Sequence, residues 1–148
     1  MALFPRKLAI AALALTLTAC DGIPNLNLPG ESLRGEVSGN VSAQTKVAVI
    51  EGSAGLDFSD AKVLDVSNRQ FTYDLPSSQT TAYLAAFEDL NGNNRWDDNE
   101  PITSDPNSCG GCSYLQLTKV DDSWKVTEQT ASGPKTATLA DSNIAFKS

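Results

Sequence analysis

Gln70 to Leu75, "QFTYDL", sets Phe71, Tyr73 and Leu75 in strict alternation with polar residues. A period of two fits an extended strand with one buried face and does not fit a helix. Segments of similar length and character recur along the chain at Leu33 to Val41, Thr45 to Glu51, Ala61 to Val66, Thr80 to Glu88, Tyr114 to Val120 and Ser123 to Gln129, with a last strand expected within Thr136 to Phe146. They are rich in Val, Phe, Tyr, Trp and Thr and are separated by Gly, Asn, Asp, Ser and Pro, the signature of short strands joined by turns. Leu33, Val37 and Val41 are the core candidates of the first segment, whose glycines are expected to mark bulges. "TKVAVIE", from Thr45 to Glu51, is nearly apolar on both faces and is expected at the centre of a sheet. Leu115, Leu117, Trp124 and Val126 repeat the period of two around a turn at Asp121-Asp122. "TTAYLAAFE" would also suit a helix, but the prolines and β-branched residues after Glu100 argue against a helix there, so both flanks of residues 89 to 100 read as extended. Seven to nine such strands predict an all-β chain, a single antiparallel β-sandwich domain spanning residues 33 to 148.

Between two of these strands, "DLNGNNRWDDNE", Asp89 to Glu100, carries oxygen-bearing side chains at the spacing of a twelve-residue calcium loop. Asp89, Asn91 and Asn93 stand at positions one, three and five, Arg95 offers its backbone carbonyl at seven, Asp97 stands at nine, and Glu100 at twelve has the reach to bind through both oxygens. Position six, where such loops carry glycine for a sharp turn, is Asn94, which tolerates the left-handed region better than most residues. Trp96 at position eight is expected to pack inward. Three formal negative charges among these ligands repel in an empty loop, and a divalent cation relieves the repulsion. A solvated turn is the competing reading, since Asn, Gly and Asp dominate turns without any metal. The spacing and the terminal glutamate favour one calcium ion, and magnesium is disfavoured because it dehydrates reluctantly. The longer stretch "FTYDLPSSQTTAYLAAFEDLNGNNRWDDNEP", residues 71 to 101, resembles bacterial surface and envelope β-sandwiches of the prealbumin-like and adhesin B-repeat kind, in which a strand ending in an aromatic-acidic pair runs into an Asp-x-Asn-x-Asn loop closed by Glu-Pro. The resemblance implies a fold and a metal and no particular activity.

The chain opens with Arg6 and Lys7, followed by the apolar run "LAIAALALTLT", Leu8 to Thr18. The run is shorter than the roughly 20 residues needed to span a bilayer as a helix, and it reads as the core of an export signal over residues 1 to 19. Leu17-Thr18-Ala19-Cys20 resembles the lipobox of bacterial lipoproteins, which implies cleavage before Cys20 and a diacylglycerol thioether on its sulfur. Residues 20 to 32, rich in Pro, Gly and Asn, then read as a lipidated terminus and linker. Asp21 resembles the inner-membrane retention signal of some Gram-negative envelopes, and which membrane the lipid enters stays open. Without Arg6 and Lys7 the chain keeps 9 basic and 18 acidic residues, formally −9. An acidic domain with no basic footprint excludes nucleic acid as a partner.

Cys109-Gly110-Gly111-Cys112 holds the two remaining thiols. In an exported chain they are expected to form a small disulfide, contributing roughly 2 kcal/mol on the chain-entropy argument. A redox dithiol needs a helix after its first cysteine, and here "SYLQLT" continues at strand period, so thiol catalysis is the weaker alternative. The chain contains no histidine, which removes the commonest general base and any Ser-His-Asp triad. Paired carboxylates such as Asp57 with Asp60, or Asp121 with Asp122, lie in evident turns. The expected role is therefore that of a lipid-anchored, calcium-stabilised, non-catalytic structural or interaction module of the bacterial envelope. A ligand-binding module, for instance for envelope glycan stacked on Trp96 or Trp124, is the alternative.

Overall fold

The computed structural model describes residues 31–52, 55–105 and 111–146. The export signal, Cys20, the linker to residue 30 and Cys109 lie outside the described residues. Among the described residues nine strands run in chain order: β1 Ser32–Ser38, β2 Thr45–Glu51, β3 Lys62–Asp65, β4 Gln70–Asp74, β5 Thr81–Glu88, β6 Tyr114–Val120, β7 Ser123–Thr130, β8 Gly133–Ala137 and β9 Ser142–Ala145. They form a β-sandwich of a six-stranded sheet, β3-β2-β5-β6-β7-β8, facing a three-stranded sheet, β4-β1-β9. Among the described residues there is no helix.

Local chemistry accounts for most of the hairpins. Asn68 and Arg69 (φ 50 and 66) turn the chain between β3 and β4, and Asp121 and Asp122 (φ 49 and 61) between β6 and β7. Two successive residues of positive φ form the tight turn whose twist matches the flanking strands, and Asn and Asp adopt it most readily among non-glycine residues. The register follows from the apolar alternation: Tyr73 opposes Leu33 and Phe71 opposes Gly35 across β1 and β4, and Leu117 opposes Val126 across β6 and β7. All of these except Gly35 contribute to the main core between the sheets, together with Val37, Val47, Leu84, Leu115 and Ile144.

Three expectations are corrected. The last strand, β9, falls within the expected Thr136 to Phe146, but an unexpected strand, β8, precedes it, and the two are separated by a turn bridged at Thr138 and Asp141. Pro134 and Lys135 break the strand signal there, yet both are exposed on an edge strand, where the outer side has no partner and a missing N–H costs nothing. Second, pairing is not antiparallel throughout: β9 lies parallel to β1, with Val37 opposite Ile144. Almost the whole chain separates these two strands, which supplies the long connection that a parallel pair requires. Third, Gly35 marks no bulge. It sits in regular register beneath the Phe71 ring, and a Cβ built on it would lie 2.3 Å from the Phe71 Cζ.

The large sheet is also covered on its outer side. Along β5, Ala82, Leu84 and Ala86 face the main core, while Ala85 and Phe87 face outward into a second cluster with Ala48, Phe58 and Ile102. Both faces of β2 and β5 are thus buried, as the unbroken apolar run of β2 anticipates. The outer cover is built from the segment around Phe58 and from the loop that leaves β5, with Trp96 packed against the cluster.

Candidate metal centre

The loop from Asp89 to Glu100 departs from a pinned base. The Glu88 N–H donates to the Pro101 carbonyl (3.1 Å), the Thr103 N–H to the Ala86 carbonyl (2.8 Å), and the Ala86 N–H to the Thr103 hydroxyl (2.9 Å). Phe87 and Ile102 form a single antiparallel bridge. Both flanks are extended, as expected, and Pro101 fits this return path because among the described residues it carries only isolated ladder bonds. The Asp89 N–H donates to the Gln44 carbonyl (3.0 Å), tying the start of the loop to the turn before β2.

Inside the loop, side-chain oxygens gather backbone N–H groups. Asp89 accepts from Asn93 (Oδ1, 3.1 Å) and Asn94 (Oδ2, 3.0 Å), the Asn91 carbonyl oxygen from Asn93 (3.0 Å), and the Asn93 carbonyl oxygen from Arg95 (2.8 Å). Glu100 closes the far end: Oε1 accepts from Leu90 (2.7 Å) and more distantly from Asn91 (3.4 Å), and Oε2 from Asp97 (3.1 Å). Asn94 takes φ 56, supplying at position six the left-handed bend that glycine usually provides. The side-chain amides of Asn91 and Asn93 both donate to Asp97 Oδ2, at 2.7 and 2.8 Å. These two hydrogen bonds, the Asn91 one foremost, and the nearby Arg95 charge hold the Asp97 carboxyl below its ordinary value.

Burial distinguishes this loop from an ordinary turn. Asp89 is 3% exposed and Glu100 4%, although Leu90 to Arg95 between them are exposed. Among the described residues no lysine or arginine forms an ion pair with either one. The one cationic side chain of the loop, Arg95, turns away: its Nε donates to the Ser59 carbonyl (3.0 Å) and its guanidinium lies 3.5 Å from Asp60. Trp96 is half-buried, and its indole N–H donates to the Glu100 carbonyl (2.9 Å), so the expectation that it packs inward describes it correctly.

The structure therefore brings Asn91, Asn93 and Asp97 into direct contact and joins Asp89 and Glu100 to the same run of backbone, while the three carboxylates do not converge. Among the described residues no three Asp, Glu, His or Cys side chains stand together as a metal-holding group. The donors are nonetheless all oxygens, carboxylate mixed with neutral amide, which is the set that suits calcium rather than zinc or copper.

The other candidates are dispersed. Cys112 is buried at the entry to β6, twelve residues after the loop closes at Glu100, and its expected partner Cys109 lies outside the described residues. Trp124 lines an open groove of about 710 Å³ beside Thr127, Ala137 and Leu139. Asp57 accepts the Ser59 N–H (3.0 Å), an ordinary local turn bond.

Two polar arrangements escape sequence reasoning. Glu88 accepts from the hydroxyls of Ser42 and Thr45, both at 2.6 Å, locking the turn before β2 to the end of β5. Tyr73, wholly buried by its ring, donates its hydroxyl to Glu51 Oε1 at 2.8 Å. Each joins residues far apart in the chain, and no local pattern could have signalled it. No protein-family model matches this chain, and neither a curated protein nor a solved structure matches it.

Proposed function

We propose that this chain is a lipid-anchored, calcium-stabilised, non-catalytic module of the bacterial envelope. The observation that carries the calcium reading is the pair of buried carboxylates, Asp89 and Glu100, at the two ends of one exposed loop, with no lysine or arginine among the described residues in an ion pair with either. Burying a carboxylate is costly unless hydrogen bonds or a counter-charge offset it, and here, among the described residues, backbone N–H groups do so without a counter-charge. A divalent cation would complete the compensation. Asp89, Asn91, Asn93, Asp97 and Glu100 would hold it with their side-chain oxygens and Arg95 with its carbonyl, and the ion would take over the role now filled by the Asn91 and Asn93 amides against Asp97. Its chemistry is structural: it neutralises the loop and fixes the cover over the outer sheet face through Trp96 and Arg95.

The anchor reading rests on Leu17-Thr18-Ala19-Cys20 directly after a short apolar run. No helix among the described residues is long and apolar enough to cross a membrane. The non-catalytic reading rests on the lack of histidine and on the placement of the paired carboxylates in turns. Pairing of Cys109 with Cys112 rests on their spacing of three residues in a chain read as exported, where thiols this close oxidise to a disulfide.

Isothermal titration at millimolar calcium, with thermal melts beside it, tests the site. Wild type is expected to give binding heat with an affinity on the order of 10⁻⁴ to 10⁻³ M, as for extracellular modules, and a melting temperature that rises with the logarithm of excess calcium. Glu100→Gln is expected to weaken binding more than Asn93→Ala, because water replaces one neutral ligand more easily than the closing carboxylate. No heat and an unchanged melt for wild type return the loop to an ordinary turn.

A further inference from the structure

We infer that Asn91 is a site of spontaneous deamidation, and that the reaction adds a negative charge to the loop between Asp89 and Glu100. Asn91-Gly92 is the one Asn-Gly pair in the chain. Deamidation begins when the backbone nitrogen of the following residue attacks the asparagine side-chain carbonyl, so it depends on how free that nitrogen is and how open the space around it. Both conditions are met here. Gly92 has no side chain, and a Cβ built on it would meet nothing within 4 Å. From Leu90 to Arg95, every backbone N–H except that of Gly92 is bonded to a side-chain oxygen of the loop. Among the described residues the Gly92 N–H has no acceptor, so attack by its nitrogen breaks no hydrogen bond. The electrophile is also prepared: the Asn91 side-chain carbonyl accepts the Asn93 N–H at 3.0 Å, which draws electron density from Cγ. Asn91 and Gly92 are both exposed, so water reaches the site.

The step balances with water as the only co-reactant. The Gly92 nitrogen loses its proton and forms a bond to Asn91 Cγ, the Cγ–Nδ2 bond breaks, and the amide nitrogen takes up a proton and leaves as ammonia. The resulting five-membered imide is then opened by water at either carbonyl. One opening gives aspartate with the backbone unchanged; the other gives isoaspartate, in which the main chain runs through the former side chain and is one carbon longer. Nothing is oxidised or reduced. The aspartate product sets a fourth carboxylate at the third ligand position, and calcium sites tighten with the number of charged ligands. The isoaspartate product lengthens the path between Asp89 and Asn93 and breaks the spacing of the loop. The consequence for calcium rests on the calcium reading proposed above; the deamidation itself does not.

The test is peptide mapping of the full chain after prolonged incubation in chelator at mildly alkaline pH, with enzymatic methylation to count isoaspartate. The expected result is that the peptide containing Asn91 becomes one dalton heavier severalfold faster than any other asparagine peptide, and carries most of the isoaspartate. Gly92→Ala is expected to slow the change severalfold; if that variant fails to fold, the wild-type map decides by itself. An Asn91 that stays intact, or converts no faster than Asn93 or Asn94, overturns the inference. For the charge consequence, Asn91→Asp stands in for the aspartate product and is titrated with calcium, where severalfold tighter binding than wild type is expected. Equal or weaker binding overturns that consequence. Absence of binding by both proteins removes the calcium reading while the mass change still reports on Asn91.

Discussion

Tyr73 shows what one buried polar atom contributes. Its ring is wholly buried between the sheets, its hydroxyl reaches Glu51 at 2.8 Å, and the Lys62 ammonium lies 5.7 Å from the ring centroid. Burial first, then the Glu51 hydrogen bond and charge, push the phenol well above its ordinary value of 10.0. A group whose folded value is raised contributes stability that is fully present below its unfolded value and is lost as pH rises toward the folded value. Folding stability is therefore expected to fall as pH climbs above about 10, because the unfolded tyrosine ionises there and the folded one does not. Tyr73→Phe keeps the ring and removes the hydroxyl. It is expected to cost roughly 0.5 to 1.5 kcal/mol near neutrality and to flatten the alkaline fall, read by denaturant titrations at a series of pH values. The burial of Tyr73 was legible from its alternation with Phe71 and Leu75. Its partner was not, since Glu51 stands at the end of another strand and nothing local joins the two.

At the scale of the element, β1 and β4 depend on a fit between an absent side chain and a large one. Gly35 lies opposite Phe71, and the ring fills the space a Cβ would occupy, at 2.3 Å from Cζ and 2.6 Å from Cε1. The ring is itself buried at 3% exposure and has no free direction in which to yield. Gly35→Ala is therefore expected to destabilise the domain by about 1 to 3 kcal/mol through overpacking, measured as a lowered denaturation midpoint with unchanged slope. Phe71→Leu in the same background is expected to recover part of the loss by freeing that space. A glycine inside a strand signals either a bulge or a close approach, and sequence alone does not separate them, because the difference lies in what stands across the sheet. The bounds of β2, β4, β5, β6 and β7 fall within a residue or so of the expected segments, since their apolar period is unbroken. β8 was hidden because an edge strand tolerates proline and lysine.

The whole molecule combines a rigid sandwich with the loop that covers its outer face and, in the proposed reading, a lipid at Cys20. If Cys20 carries the anchor, Cys20→Ser is expected to leave the domain in the soluble fraction and unacylated, because no described helix is apolar and long enough to hold it in a bilayer. Cell fractionation with labelled fatty acid checks both outcomes, and a variant that remains firmly membrane-bound locates the anchor elsewhere. The domain itself is expected to melt at the same temperature with and without the lipid, since β1 begins only at Ser32, twelve residues after the attachment point.

The existence and faces of every strand but β8, the turn at Asp121-Asp122 and the spacing of the Asp89 to Glu100 loop were determined by the sequence alone, because each rests on neighbours a few residues apart whose period or conformational preference is visible in the chain. Tertiary structure decided what those neighbours meet. It placed β9 parallel to β1 and stacked Phe71 on Gly35. It covered the outer face of β5 with Phe58 and Trp96, and buried Asp89 and Glu100 beneath a loop whose tip is exposed. These outcomes depend on packing between segments far apart in the chain, where many partners of similar size and polarity are compatible with the same local pattern, and only the closing of the two sheets selects among them.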